Sequence, residues 1–189
     1  MNDALLSRVA LSAFFVALYV ALFWVTNALV GALVLQGLVS LLFLPAFVRL
    51  ISFLVLGFWA MPLLFFAGYL CILLGFYDIA PGNNVEIAAT IAMAIGAPVG
   101  TWIVMKLRRV RPDLNALSPL DLLWLSLGCS LGNAVVQKMA LLTMLPAPPG
   151  RGIMIGLFIG DTLGTWLAIM LVKAGLTFAS RFAVGRRES

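Results

Sequence analysis

The sequence contains no histidine and very little charge. Of its 189 residues, 10% are charged, whereas an ordinary soluble domain carries about a quarter. Histidine is the most common general base and a frequent zinc ligand, so both kinds of histidine chemistry are excluded. The two cysteines, Cys71 and Cys129, lie in apolar segments. This placement predicts small buried side chains and neither a disulfide nor a metal framework.

Long polar stretches and catalytic motifs are also missing. The longest polar stretches, 77–86 and 106–119, have the size of loops, which leaves no room for a separate kinase, cyclase or nucleotide-binding module. The chain has no phosphate loop, paired carboxylates or metal-ligand spacing. We therefore expect no enzyme, no cofactor and no metal site.

Apolar residues dominate instead, at 63% of the chain. Apolar windows of about 20 residues recur along nearly the whole length, and each is long enough to cross a bilayer as a helix. A lipid-exposed backbone must satisfy its hydrogen bonds internally, which favours helices. The sequence predicts an all-α integral membrane protein, a single domain over residues 1–189 with about six transmembrane helices. The predicted spans are 8–31, 33–57, 59–76, 86–106, 118–145 and 153–178.

The second span is interrupted by Gly37 and Pro45, and Arg49 lies inside its apolar run. Proline removes a helix donor and clashes with the preceding turn. Two interpretations stay open: a kinked span, or a helix broken at Pro45 of the kind found at transporter binding sites. Without this span only five would remain and the termini would lie on opposite sides, so we predict six.

The net charge of +5 does not indicate a nucleic-acid partner, because no basic face with interleaved aromatic residues is present. The basic residues gather at span ends, and the positive-inside rule uses such residues to assign orientation. It predicts that both termini lie in the cytoplasm. The residues assigned to the cytoplasmic side are Arg8, Lys106, Arg108, Arg109, Arg111, Arg181, Arg186 and Arg187.

Asp161 lies in the middle of an apolar segment long enough to cross the bilayer. A carboxylate is costly to keep there, so it is expected to have a partner or a function. Counting about 1.5 Å per residue, Lys138 lies at a similar depth in the neighbouring span. We expect Lys138 to pair with Asp161, and Arg49 is a rival partner.

Asn133 and Gln137 add a polar strip to the fifth span near Lys138. Three interpretations of this intramembrane polar cluster stay open. It is a neutral pair that fixes helix packing, a pocket for a small ligand or ion, or a proton relay. A relay normally needs several titratable groups, and this cluster contains one acidic group and no histidine.

Small residues recur every four positions in several spans. Such faces let another helix approach closely, either inside the bundle or in a separate membrane partner. The three sets are Ala13, Ala17 and Ala21 in the first span, Gly96 and Gly100 in the fourth, and Gly156, Gly160 and Gly164 in the sixth.

The order of motifs resembles the MASE1 family of bacterial membrane sensory regions. The resemblance rests on Tyr19 in the first span, FLPAFVRLISFLVLG at 43–57, MPLLFFAGYL at 61–70 and IGDTLGTWL at 159–167. Members are usually fused to a histidine kinase, a diguanylate cyclase or a similar output domain. The resemblance therefore implies a stand-alone sensory region whose output lies in another polypeptide.

Three functions follow as expectations. The first is a sensor or accessory scaffold that acts through a partner in the membrane or cytosol and passes on a change in helix packing. The second is a transporter subunit resembling the substrate-binding component of an energy-coupling-factor importer, with the alanine face as its docking site and the Asp161 cluster as its ligand pocket. The third is a structural subunit of a larger membrane complex. The expected partners are the lipid bilayer and a membrane or signalling protein, with a small ligand under the second function.

Overall fold

Helices make up most of the chain that the computed structural model describes, which is residues 3–30, 34–35, 39–40, 42–76, 84–110, 117–144 and 151–185. Five helical segments are long and apolar enough to cross a membrane: Leu5–Leu29, Pro45–Leu73, Ile87–Arg108, Pro119–Thr143 and Gly152–Phe178. The prediction of an all-α, multi-pass membrane bundle is confirmed.

The helices follow the predicted spans closely, except in the second. They are α1 (Asp3–Val30), α2 (Pro45–Leu56), α3 (Ala60–Leu73), α4 (Asn84–Arg108), α5 (Pro119–Met144) and α6 (Arg151–Gly185). A 3-10 turn, Gly57–Trp59, joins α2 to α3. Before α2 lie two short antiparallel strands, β1 (Val34–Leu35) and β2 (Val39–Ser40), in which Val34 is opposite Ser40 and Leu35 is opposite Val39.

The segment Pro45–Leu73 folds back on itself. The ring of Phe23 in α1 contacts both Phe43, just before α2, and Phe76, just after α3, at centroid distances of 5.4 and 5.6 Å. Both ends of the segment therefore lie beside the same end of α1. The reversal occurs at Gly57, whose φ of 59° is the left-handed conformation that glycine adopts readily.

Of the two interpretations left open at Pro45, a kink or a break, the structure has the break, and α2 starts there. Pro45 occupies the first turn of α2, where its missing N–H would have had no helical partner. The 12 residues of α2 span about 18 Å, well short of the roughly 30 Å hydrocarbon core. The described residues between α1 and α2, which are β1, β2 and 42–44, are not helical, so a continuous kinked helix beginning at 33 is not what the chain forms.

Contacts between glycines fix the direction of α4 relative to α5. In α4 and α5, Gly96 packs on Gly132 and Gly100 packs on Gly128, so these helices are antiparallel. A methyl group added at Gly96 would lie 2.7 Å from the carbonyl oxygen of Gly132. Packing of the Gly96 and Gly100 face inside the bundle is therefore confirmed. Cys71 and Cys129 are both buried and free, also as predicted.

Candidate functional site: a charged network at the centre of the bundle

A buried ion pair joins α2 to α6 at the centre of the bundle. Nη1 of Arg49 donates a hydrogen bond to Oδ2 of Asp161 over 2.8 Å. Each residue is only 3% exposed. Because an unpaired charge at this depth is unfavourable, the pair explains how both charges persist in an apolar chain.

The partner of Asp161 is Arg49, and the prediction of Lys138 is wrong. Lys138 is half-buried and forms no ion pair with Asp161. The physical reason is rotation around α5. Lys138 follows Asn133, which does contact Asp161, by five residues, so it lies about 140° around the helix. Equal depth along neighbouring helices did not bring the two side chains to the same face.

Asn133 and Gln137 extend the network along α5. Nδ2 of Asn133 donates to the same Oδ2 of Asp161 that accepts from Arg49. Nε2 of Gln137 donates to Oδ1 of Asn133 over 3.1 Å. The two amides are four residues apart and therefore share a helix face. The predicted polar strip thus meets Asp161, with Asn133 fully buried and Gln137 half-buried.

On its other side, Arg49 contacts Tyr19 in α1. Nη2 of Arg49 donates to the Tyr19 hydroxyl over 3.3 Å, and this hydroxyl donates to Sδ of Met93 in α4 over 2.9 Å. The ring of Phe43 lies 4.7 Å from Cζ of Arg49. Reasoning from residue chemistry did not place Tyr19 or Met93 in the site. A buried tyrosine hydroxyl normally needs a hydrogen-bond partner, so Tyr19 could have been proposed for the site from the sequence. Nothing in the sequence singles out Met93.

Non-helical backbone lies against α6 beside the ion pair. The Phe43 N–H donates to the carbonyl of Gly160 over 3.0 Å, and the Leu44 N–H donates to Oγ1 of Thr26 over 3.3 Å. A methyl group at Gly164 would overlap the backbone of Phe43. Irregular backbone at membrane depth is tolerated where protein groups satisfy it, and here α1 and α6 do so.

The glycine face of α6 is confirmed as a packing surface, with an unexpected occupant. Gly156, Gly160 and Gly164 are all buried. The chain that lies on Gly160 and Gly164 is the non-helical segment at Phe43, just before α2, and not a second helix. Glycine is needed at 164 because a backbone, which cannot move aside like a side chain, fills the space above it.

The alanine face of α1 points away from the bundle. Ala13, Ala17 and Ala21 are exposed, while Phe15, Tyr19 and Phe23 form the buried face of the same helix. The prediction that these alanines pack inside the bundle is wrong, because the aromatic face is the one turned inward. Docking of a separate partner on the alanine face stays a prediction.

The network ties together five helices through one ion pair and its hydrogen bonds. α1 contributes Tyr19, α2 Arg49, α4 Met93, α5 Asn133 and α6 Asp161. Every described donor that reaches the Asp161 carboxylate comes from a different helix, so a shift of one helix changes contacts on the others. Within the described ranges, no group of three or more cysteine, aspartate or glutamate side chains is placed to hold a metal ion.

Comparison of the chain with known protein families, with curated proteins and with solved structures finds no match.

Proposed function

We propose that this protein is an integral membrane sensor or accessory protein that acts through a partner protein. The observation that carries the proposal is the position of Asp161, the centre of the network, on the helix that reaches farthest from the bundle. α6 has 35 residues, a length of about 52 Å, against a hydrocarbon core of about 30 Å.

The far end of α6 is available to a partner. Each of the eight residues from 171 to 178 is exposed, and they include Leu176 at 67% and Phe178 at 65%. This segment, which we call the α6 extension, begins ten residues after Asp161 in the same uninterrupted helix. A rotation or shift of α6 at Asp161 therefore reaches the extension directly.

α2 is the helix whose movement is transmitted to α6 in this proposal. It is a half-length helix held to α6 at its start by the Phe43–Gly160 hydrogen bond and within its first turns by Arg49. At its end lies Gly57, in a left-handed conformation. Switching proteins commonly use such short elements between a hinge and an anchor. A ligand or partner that binds one arrangement of α2 better than the other shifts the population of α6 positions.

The proposed orientation and family agree with this function. The end of α4 and the start of α5 lie at the same end of the bundle as the α6 extension, and Lys106, Arg108 and Arg109 lie there. Under the positive-inside rule this end faces the cytoplasm of a bacterial inner membrane. The resemblance to MASE1 regions, in which membrane helices are usually fused to an output domain, adds to the proposal.

A photo-crosslinking experiment tests the proposal. A photoreactive amino acid is placed at Leu176 in the α6 extension. The control position is the similarly exposed Leu29, which lies near the end of α1 and at the opposite end of the bundle. In native membranes we expect one specific protein adduct from position 176 and none from position 29. Asp161→Asn should change the yield of that adduct at equal protein abundance. Lipid adducts alone at 176, or a yield that Asp161→Asn leaves unchanged, would contradict the proposal.

A transporter subunit is the second candidate, and one observation favours it. Non-helical backbone at Phe43 lies on α6 next to Asp161 at membrane depth, as broken helices do at transporter binding sites. Under this function, the purified protein carries a bound small molecule or an ATPase pair, which mass spectrometry of the gently solubilised protein detects. Asp161→Asn would then abolish uptake of that molecule when uptake is normalised to the amount of folded protein.

A further inference from the structure

The end of the α4–α5 hairpin lies at the depth of lipid headgroups. Trp102 is nine residues beyond Met93, the α4 residue in the central network, and Trp124 is nine residues before Asn133 of α5. Nine residues correspond to about 14 Å, near the edge of a hydrocarbon core about 15 Å in half-thickness. Lys106 lies one turn beyond Trp102, so its ammonium group is at headgroup depth.

Arg109 ends α4 in a conformation that favours glycine. Its φ is 55°, and it alone among the described non-glycine residues has a positive φ. The Arg109 N–H donates to the carbonyl of Lys106 over 3.4 Å, and the Val110 N–H donates to that of Met105 over 3.0 Å. These two bonds form a Schellman motif, in which glycine is the usual residue at the position of Arg109. Such an outlier supports a hypothesis of function.

The neighbouring charges leave the surface positive. Nε of Arg108 lies 3.6 Å from Oδ1 of Asp121, and its Cζ lies 5.6 Å from the ring centre of Trp124. Asp121 in turn exchanges hydrogen bonds with Ser118 at the start of α5. Among the described residues at this end, three basic residues, 106, 108 and 109, thus accompany a single carboxylate, that of Asp121, which gives a local charge of +2.

We propose that this surface binds the headgroup of an anionic phospholipid, with Lys106 and Arg109 as phosphate ligands. Lys106 lies over the ring of Trp102 at 5.9 Å, and Arg109 is exposed. Between them Leu107, 78% exposed, presents an apolar surface to an acyl chain. Basic residues at the end of membrane helices bind anionic lipids in this way. The assignment does not depend on the sensor function.

Lipid binding to the purified full chain tests the site by native mass spectrometry, with dioleoyl phosphatidylglycerol compared against dioleoyl phosphatidylcholine. We expect the first phosphatidylglycerol to bind at least about fivefold more tightly than phosphatidylcholine, and Arg109→Gly to remove about fivefold of that affinity. The same substitution should not lower the unfolding temperature, because glycine suits a positive φ. Arg109→Gln and Lys106→Gln should weaken phosphatidylglycerol binding in the same direction.

Arg8→Gln is the matched control. Arg8 is an exposed basic residue at the start of α1, at the end of the bundle where Lys106 and Arg109 lie. It should leave binding of the first phosphatidylglycerol unchanged. Equal binding by wild type and Arg109→Gly, or an equal loss in Arg8→Gln, would overturn the site. Binding of glycerophosphoglycerol or of an oligo-aspartate peptide as tightly as the lipid would overturn the assignment to a lipid and indicate a soluble anion or an acidic protein segment.

Discussion

Arg49 and Asp161, 112 positions apart in the chain, meet as a buried ion pair with a 2.8 Å bond. The pair joins a half-length helix to the longest helix of the bundle. Tyr19 and Asn133 complete it from two further helices. Both side chains are only 3% exposed, so neither charge can turn to solvent in place of its partner, and the arrangement of α2 and α6 depends on both.

Removing either charge of the pair should strongly destabilise the bundle. Arg49→Gln and Asp161→Asn each leave one buried charge without its partner, and such changes cost about 3–5 kcal/mol. Lys138→Gln is the control, because Lys138 is half-buried and outside the pair. Unfolding titrations in mixed detergent micelles measure the free energies. A loss in Lys138→Gln as large as that in Arg49→Gln would show that the pair is misassigned.

Exchanging the two charges gives a second test of the pair. The double variant Arg49→Asp with Asp161→Arg should be more stable than the sum of its single variants predicts, by about 0.5–3 kcal/mol. The corresponding exchange between Asp161 and Lys138 should show no such coupling. The measurement is a double-mutant cycle on the unfolding free energy, and coupling only in the Lys138 cycle would refute the pairing.

Gly164→Ala should separate the Phe43 segment from α6. The added methyl group overlaps the backbone of Phe43, and overpacking of this kind costs about 1–3 kcal/mol. Gly175→Ala on the same helix is the control, since nothing lies within 4 Å of the added carbon. It should stabilise α6 by about 0.5–1 kcal/mol. If both variants unfold at the same detergent concentration, Phe43 does not lie on Gly164.

The two amides of α5 should differ in importance. Asn133→Leu removes a fully buried donor to the Asp161 carboxylate and should lower stability by about 1–3 kcal/mol. Gln137→Leu removes only a bond to Asn133 at a half-buried site, for which about 0.6 kcal/mol is typical in membranes. Thermal unfolding in one detergent ranks the two, and the reverse ranking would contradict the network.

The reversal between α2 and α3 predicts which side of the membrane its turn reaches. The ring of Phe58 lies 6.3 Å from that of Trp102, so Trp59→Cys should react with an impermeant maleimide from the same side as Leu107→Cys. Gly152→Cys at the start of α6 should react from the opposite side. Cys71 and Cys129 are buried and should contribute little background. A cysteine at position 59 that the maleimide reaches from neither side would show that Pro45–Leu73 crosses the bilayer once, because residue 59 is the middle of that segment.

The lengths of the apolar runs were sufficient to predict the helices, because the bilayer sets both their length and their hydrogen bonding. An interruption at Pro45 was also predictable from the chemistry of proline, although that chemistry did not decide between a kink and a break. The partner of Asp161 was not. Depth along a regular helix follows from counting residues, which made Lys138 attractive, but the depth of Arg49 depends on where α2 starts, and α2 begins 12 residues later than the predicted span.

The sequence also did not predict which face of each helix is turned toward the bundle core. In a bilayer both the lipid face and the core face of a helix are apolar, so hydrophobic patterning does not distinguish them. The alanines of α1 and the glycines of α6 show the same spacing, yet Ala13 and Ala17 are exposed while Gly160 and Gly164 are buried. The glycine face was correctly predicted to pack, but its occupant at Phe43 has no helical pattern to reveal it.

The central claim is that the Arg49–Asp161 pair sets the position of α6. A pulsed electron paramagnetic resonance distance between spin labels at Phe178 on the α6 extension and Leu107 at the end of α4, in nanodiscs, tests it most directly. We predict that Asp161→Asn, in protein that remains folded, shifts or broadens this distance distribution, while Lys138→Gln leaves it as in the wild type. A distribution that Asp161→Asn leaves unchanged would contradict the claim and restrict the pair to a role in stability.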